Sequence, residues 1–199
     1  MDLSVESRFP MNILIVFDHP RRDGSFCGAV LEQLQQGLAA AGHTSEVADL
    51  RAEGFDPRLP VADEPDWDDP DKVYSPEVLR EQERVMRSDA LAFVFPVWWW
   101  SFPATTKGWI DRVWNHGWAY GSRKLPHKKA LLIGTASSDA EAYAKRGYDT
   151  AMQTQLVTGI MQYCGIPEAR LELLYDVMAG AEVRDQQLAR VRALGASYF

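Results

Sequence analysis

An open three-layer α/β fold, a five-stranded parallel sheet with helices on both faces, is what this sequence predicts. Three observations carry the prediction. Short apolar runs rich in branched residues alternate along the chain with stretches of helical period, the pattern of βαβ units. One run, Ala90 to Val97, is apolar with no helical period, as a strand buried on both faces requires. With 46% hydrophobic residues, the 199-residue chain can bury one sizeable core, so one domain is expected. Right-handed crossovers then distribute the helices over both faces.

The elements follow in order. Asn12–Phe17 (NILIVF) reads as the first buried strand, and Asp18–Gly24 (DHPRRDG) as a loop marked by proline, glycine and charge. Ser25 is placed to cap a helix whose apolar face is Phe26, Val30, Leu34 and Leu38 and which ends near Gly42. Thr44–Leu50 alternates like a more exposed strand toward the side of the sheet. Arg51–Tyr74 is a long acidic loop punctuated by Pro57, Pro60, Pro65 and Pro70, and a loop of that length in a compact domain is usually functional or mobile. Ser75-Pro76-Glu77 opens a helix to about Arg87. After the third strand, Pro103 suits the first turn of a helix with Trp109, Val113 and Trp114 on one side and Lys107, Asp111 and Arg112 elsewhere. Lys129–Ala136 reads as the fourth strand, 137–149 as a polar loop with helical turns, Ala151–Cys164 as a helix, Leu171–Val177 as the fifth strand and Val183–Tyr198 as a final helix.

The formal charge of −7 disfavours nucleic acid and anionic membranes as general partners. Two cysteines, Cys27 and Cys164, without a CxxC pair fit a reducing compartment, and each reads as a packed thiol. His19, His43, His116 and His127 show no metal-ligand spacing. No signal peptide is evident and no apolar run approaches the ~18 residues of a membrane span, so a cytoplasmic protein is expected. Residues 1–10 are a polar lead without pattern.

Trp98, Trp99 and Trp100 sit on the turn between the third strand and the next helix, at the carboxyl edge where open parallel sheets bind ligands. They suit the wall of a flat conjugated ligand, and equally a hydrophobic lid or a subunit interface. The turn after the first strand feeds a helix N-terminus, where free N–H groups favour anions. His19, Arg21 or Arg22, and Ser25 could add donors there, although an ordinary turn and cap explain them as well. Neither GxGxxG nor GxxxxGK[ST] is present. Thr135, Ser137, Ser138 and Tyr143 place hydroxyls on the loop after the fourth strand, where a ligand's edge could lie. Asp18 at a strand end has no acidic neighbour to support a receiver-type site.

Together His19-Pro20 through Ser25-Phe26, the block PVWWWSFPATTKGWIDRVWNHGWAY from Pro96 to Tyr120, and the loop from Thr135 to Tyr143 resemble the flavodoxin-fold NAD(P)H:quinone reductases. The wording is similar to bacterial members, including the ancillary quinone reductases of potassium-efflux systems. The resemblance covers nearly all of the chain from Asn12 and implies a flavodoxin-like sheet of order 2-1-3-4-5, an arm at 1–11 and a flavin-binding domain at 12–199. It implies that His19, Ser25 and Phe26 contact the flavin's phosphate region, and that Pro96, Val97, Trp98, Trp99 and Trp100 line its ring, partly through backbone N–H groups. Thr135, Ala136, Ser137 and Ser138 would run along the pyrimidine side, with Tyr143 assisting charge stabilisation. Trp99 and Tyr120 would meet the substrate, Tyr120 across a homodimer interface. Ser137 and Ser138 replace the family's paired glycines, and Asp149 stands where the animal enzymes have a histidine. The implied activity is ping-pong reduction of a quinone by NAD(P)H through FAD, favoured by the Ser25-Phe26 pair, or FMN. A flavin-bound regulatory subunit of a membrane transporter is the alternative. A one-electron carrier fits less well, because its phosphate loop is usually rich in serine and threonine and this one reads HPRRDGS.

Overall fold

The computed structural model describes residues 9–69 and 71–199. The expected arm therefore lies largely outside the described residues, as does Pro70. The described residues form five strands and six α-helices: β1 (Asn12–Phe17), α1 (Phe26–Ala40), β2 (Thr44–Asp49), α2 (Pro76–Met86), β3 (Ala90–Pro96), α3 (Ala104–Val113), β4 (Lys129–Thr135), α4 (Ala140–Arg146), α5 (Tyr148–Met152), β5 (Glu168–Leu174) and α6 (Ala181–Ser197). All strand pairs are parallel and their order is β2-β1-β3-β4-β5, as expected.

The strand period of two divides the core. Ile13, Ile15 and Phe17 of β1, with Ala90, Ala92 and Val94 of β3, face α1 and α6. Leu14 and Val16, with Leu91, Phe93 and Phe95, face the opposite layer, where Trp109 and Val113 of α3 and Trp114 just after it pack. The two layers therefore differ in bulk: aromatic rings fill one, small β3 residues the other. On the small side α1 and α6 cross closely, and a Cβ on Gly37 would stand 2.2 Å from the Arg192 carbonyl oxygen.

Several boundaries depart from expectation. The polar stretch 137–149 holds a true helix, α4, because Asp139 caps it by accepting from the Ala142 N–H at 2.6 Å. The next helix starts at Tyr148 rather than Ala151 and continues as a π-helix over Gln153–Gln162. β5 is shifted toward the N-terminus, to Glu168–Leu174, since its register is set by pairing with Lys129–Thr135 rather than by local hydrophobicity. Pro103 is the N-cap of α3 rather than part of its first turn. Arg112, expected off the apolar face, is buried.

The acidic loop is not loose where it meets that arginine. Asp63, in a 3₁₀ turn (Val61–Asp63), accepts from Arg112 Nη2 at 2.8 Å and from the Ser75 N–H and Oγ at 2.9 Å each. Glu77 lies 2.7 Å from the same arginine, which also donates to the Asp56 carbonyl. Buried charge is tolerated here because both Arg112 Nη atoms and both Asp63 oxygens are hydrogen-bonded, although Arg112 Nε has no partner among the described residues.

Candidate functional site

The connections from β1 and β3 leave in opposite directions across the sheet, so the loops after their carboxyl ends part and leave a crevice. Three loops meet there: 18–25 after β1, 97–103 after β3 and 136–139 after β4.

The loop after β3 holds an unusual backbone. Trp99 and Trp100 both lie in the left-handed region, with φ of 53° and 52°, and neither is a glycine. Such a conformation costs of order 1 kcal/mol or more per residue and persists only when its surroundings hold it. Two contacts do so. The Trp100 ring stacks on Tyr148 with centroids 3.8 Å apart, and Ser101 Oγ donates to Gln155 Oε1 at 3.2 Å on the π-helix. Trp99 is left 87% exposed, a large aromatic face turned to solvent. A hydrophobic lid would bury that ring, so the geometry favours a wall with an open face.

Val97, Trp99 and Trp100 face Ser137, Ser138 and Tyr143 across a groove of about 220 Å³. It continues into a second depression of about 370 Å³, where Ala142, Arg146 and Tyr148 join Trp100, Ser138 and Tyr143. The amides of Val97 and Ala136 are used in extending the sheet, to the carbonyls of Thr135 and Leu174 at 2.9 Å each. Those of Trp99, Trp100, Ser137 and Ser138 have no partner among the described residues. Ring donors are thus available from four loop amides, but not from Val97 or Ala136. Burial, with Tyr175 adding to it, raises the Tyr143 phenol above its ordinary pKa, so at neutral pH it is an O–H donor. Pro96, Thr135 and Ala136 are buried, and they and the exposed Trp98 stand outside the groove's lining.

On the loop after β1, the Arg21 N–H donates to His19 Nδ1 at 3.1 Å. The same Nδ1 lies 2.5 Å from the Arg21 carbonyl oxygen, so the ring is held against its own loop. Ser25 is a helix cap: its Oγ accepts from the Gly28 N–H and donates to the Arg22 carbonyl, both at 3.0 Å. Its proton is therefore engaged. A Cβ on Gly28 would stand 2.0 Å from the Arg22 carbonyl oxygen, so glycine is what lets this loop fold back onto α1. Beside it lies a cleft of about 530 Å³ lined by Arg22, Ser25, Phe26 and, from α6, Arg184. Asp18 is fully buried, accepting from Arg51 Nε at 2.8 Å and from the Thr106 N–H at 2.9 Å. It ties β1 to the start of α3.

Tyr120 is not brought to this groove within the chain. It belongs to a separate aromatic cluster with Trp67, His116 and Tyr163, with centroid distances of 6.1, 5.7 and 5.8 Å. Cys27 and Cys164 are buried, and burial pushes each thiol up to about 11, which leaves them inert at neutral pH. Among the described residues no cluster of side chains could hold a metal. Sequence reading missed Tyr148, Gln155 and Arg146. The first shows no local signal, because only the turn at Gly147 (φ 70°) brings it under Trp100.

A family model described as flavodoxin-like fold matches residues 11–195. The chain belongs to this flavodoxin-like family. It is 37% identical, over 81% of its length and 82% of the relative's, to an uncharacterized NAD(P)H oxidoreductase, YcaK, of Escherichia coli. It is 31% identical to the human ribosyldihydronicotinamide dehydrogenase [quinone] over 77% of this chain and 76% of that one. Among solved structures, an NAD(P)H:quinone oxidoreductase from Methanothermobacter marburgensis superposes with a TM-score of 0.91 at 32% identity, covering 96% of this chain and 98% of that one. The flavodoxin-like family implies a flavin, and the donor set fits one. Four unpaired loop amides and a protonated phenol suit the carbonyl and nitrogen edge of a conjugated ring, aromatic faces suit its plane, and His19, Arg22 and the α1 N-terminus suit its phosphate.

Proposed function

We propose that this chain is an NAD(P)H-dependent flavoprotein oxidoreductase that reduces quinones by two electrons, as a single flavin-binding domain over residues 12–199. The observation that carries this is the left-handed Trp99-Trp100 turn facing the Ser137-Ser138 loop and Tyr143 at the crevice of the sheet. When bound, the flavin supplies hydride acceptance from NAD(P)H and two-electron delivery to the acceptor. The net reaction takes NAD(P)H, a proton and a quinone to NAD(P)⁺ and a hydroquinone.

The protein's part is positioning and electrostatics. The amides of Trp99, Trp100, Ser137 and Ser138 are without partners among the described residues and belong to residues that line one groove, so they serve as donors held by the backbone as charge develops beside them. Tyr143 holds its proton at the phenolic oxygen as a further donor. Trp99 offers the open face on which a planar acceptor stacks, and donor and acceptor use that face in turn. His19 and the start of α1 hold the phosphate. The cleft beside Phe26, where Arg22 and Arg184 are balanced by Glu32 and Asp185, gives room for the second half of FAD, which favours FAD over FMN. Tyr120, remote from the groove in one chain, is assigned to the acceptor side of a partner's groove in a homodimer. The relatives' names, an NAD(P)H oxidoreductase and a quinone dehydrogenase, favour the enzyme over a transporter-bound regulatory subunit.

The test is an absorbance spectrum of the purified protein before and after anaerobic addition of NADPH or NADH. Flavin bands that bleach, and return on addition of a quinone, are the expected result. A bound flavin that neither nicotinamide bleaches would overturn the catalytic reading. No flavin uptake at all would overturn the site.

A further inference from the structure

The groove and its continuation are lined by aromatic, small and hydroxyl residues, with one charged side chain among them, Arg146. The chain carries a formal charge of −7, and Arg51, Arg84 and Arg112 are each paired with carboxylates. Arg146 has no carboxylate partner among the described residues. Its one hydrogen bond among the described residues runs within its own helix, from Nη1 to the Ala142 carbonyl at 3.3 Å. The remaining N–H groups are open, beside the Ser138 side of the groove and the stacked pair of Trp100 and Tyr148.

We propose that Arg146 is a specificity-determining residue that selects planar aromatic acceptors bearing an anionic substituent, a sulfonate or carboxylate. The inference rests on the proposed reading that the acceptor stacks beside Trp99, over the ring that the groove holds. A guanidinium matches such oxygen pairs as a fixed fork, and a charge-assisted bond is about twice as strong as a neutral one. Favourable placement at the end of α4, where cations complement the helix dipole, would explain Arg146 without any ligand. Lys145 shares that last turn but does not line the groove, which makes it the control.

The experiment uses flavin-loaded wild type, Arg146→Gln, Arg146→Lys and Lys145→Gln. The ratio of kcat/KM for 1,4-naphthoquinone-2-sulfonate to that for 2-methyl-1,4-naphthoquinone is compared between proteins, so that intrinsic reactivity cancels. In parallel, the Kd of the redox-inert naphthalene-2-sulfonate is read from quenching of tryptophan fluorescence. Arg146→Gln is expected to lower the ratio and raise that Kd about tenfold, the scale of one charged hydrogen bond. Arg146→Lys should recover part of both, and Lys145→Gln neither lose nor gain. Wild-type preference should fall with added salt. An unchanged ratio and Kd in Arg146→Gln would overturn the proposal, as would a loss confined to the NADPH-to-NADH preference, which would assign the arginine to the donor's phosphate. If wild type reduces neither quinone, the acceptor-site reading fails, and unchanged naphthalene-2-sulfonate binding in Arg146→Gln would then sink this inference separately.

Discussion

Trp99 and Trp100 share a backbone conformation but not a role. Trp100 is held by Tyr148, so its ring is structural, whereas Trp99 exposes 87% of its surface and is held by little beyond the turn itself. Trp99→Ala should therefore lower kcat/KM for quinone roughly fivefold to tenfold, the scale of one aromatic stack, while flavin affinity shifts much less. Titrating apoprotein with flavin beside steady-state turnover separates the two effects, and equal losses would count against a substrate-facing wall. Cys27 illustrates a reactive group silenced by its surroundings. Burial dominates, raising its thiol to about 11 despite a contact with Thr135 Oγ1 at 3.2 Å. It should resist iodoacetamide at pH 8 in the folded protein and react on denaturation, followed by mass spectrometry.

At the scale of elements, the acidic loop gains its order from α3. Burial alone would push the Asp63 carboxyl up, but hydrogen bonds from Arg112 and Ser75 outweigh it and hold the pKa below the ordinary carboxylate range. A depressed pKa means this contribution is complete above the unfolded value, about 3.9, and is lost as pH falls through the folded value. Urea unfolding between pH 6 and 2 should show that acid-side loss in wild type and a flatter profile in Asp63→Asn. Arg112→Ala, which strands two carboxylates, is expected to cost about 3–5 kcal/mol and to open the 59–67 stretch to limited proteolysis. The role of this loop was not legible in sequence. Asp63 is one acidic residue among many there, and its partner Arg112 stands 49 positions away with no periodic signature on its helix. The Trp98–Trp100 turn, by contrast, could be read at once, because an apolar strand ending in proline fixes where the carboxyl edge lies. What that reading could not supply was Tyr148 beneath Trp100, since a π-helix and a left-handed glycine reorient the segment after α4.

For the whole molecule, the proposed division between a phosphate end at α1 and a ring end at β3 and β4 predicts how flavins stabilise it. FAD at a hundredfold excess over its Kd should raise the stability of the apoprotein by about 2.7 kcal/mol, and FMN at the same concentration by less, as the Arg22–Arg184 cleft would stay empty. Thermal unfolding with each flavin reads the difference, and an equal or larger shift with FMN would move the assignment to FMN. The separation of Tyr120 from the groove makes a further demand on assembly. Sedimentation should find a dimer if Tyr120 serves a partner's site, and a monomer with full turnover would remove it from the acceptor.

The sequence alone determined the order of strands and helices, the parallel sheet and the three loops at its carboxyl edge. Those follow from local signals: apolar period, caps and turn residues, each readable within a few positions. Tertiary structure decided which amides are spent on the sheet and which remain for a ligand. It also decided that Ser25 commits its hydroxyl to the α1 cap, that Tyr120 lies in another cluster, and that Arg146 enters the groove unpaired. Such outcomes depend on partners brought together by packing from far along the chain, and no local pattern encodes whether a donor, once folded, has already been used.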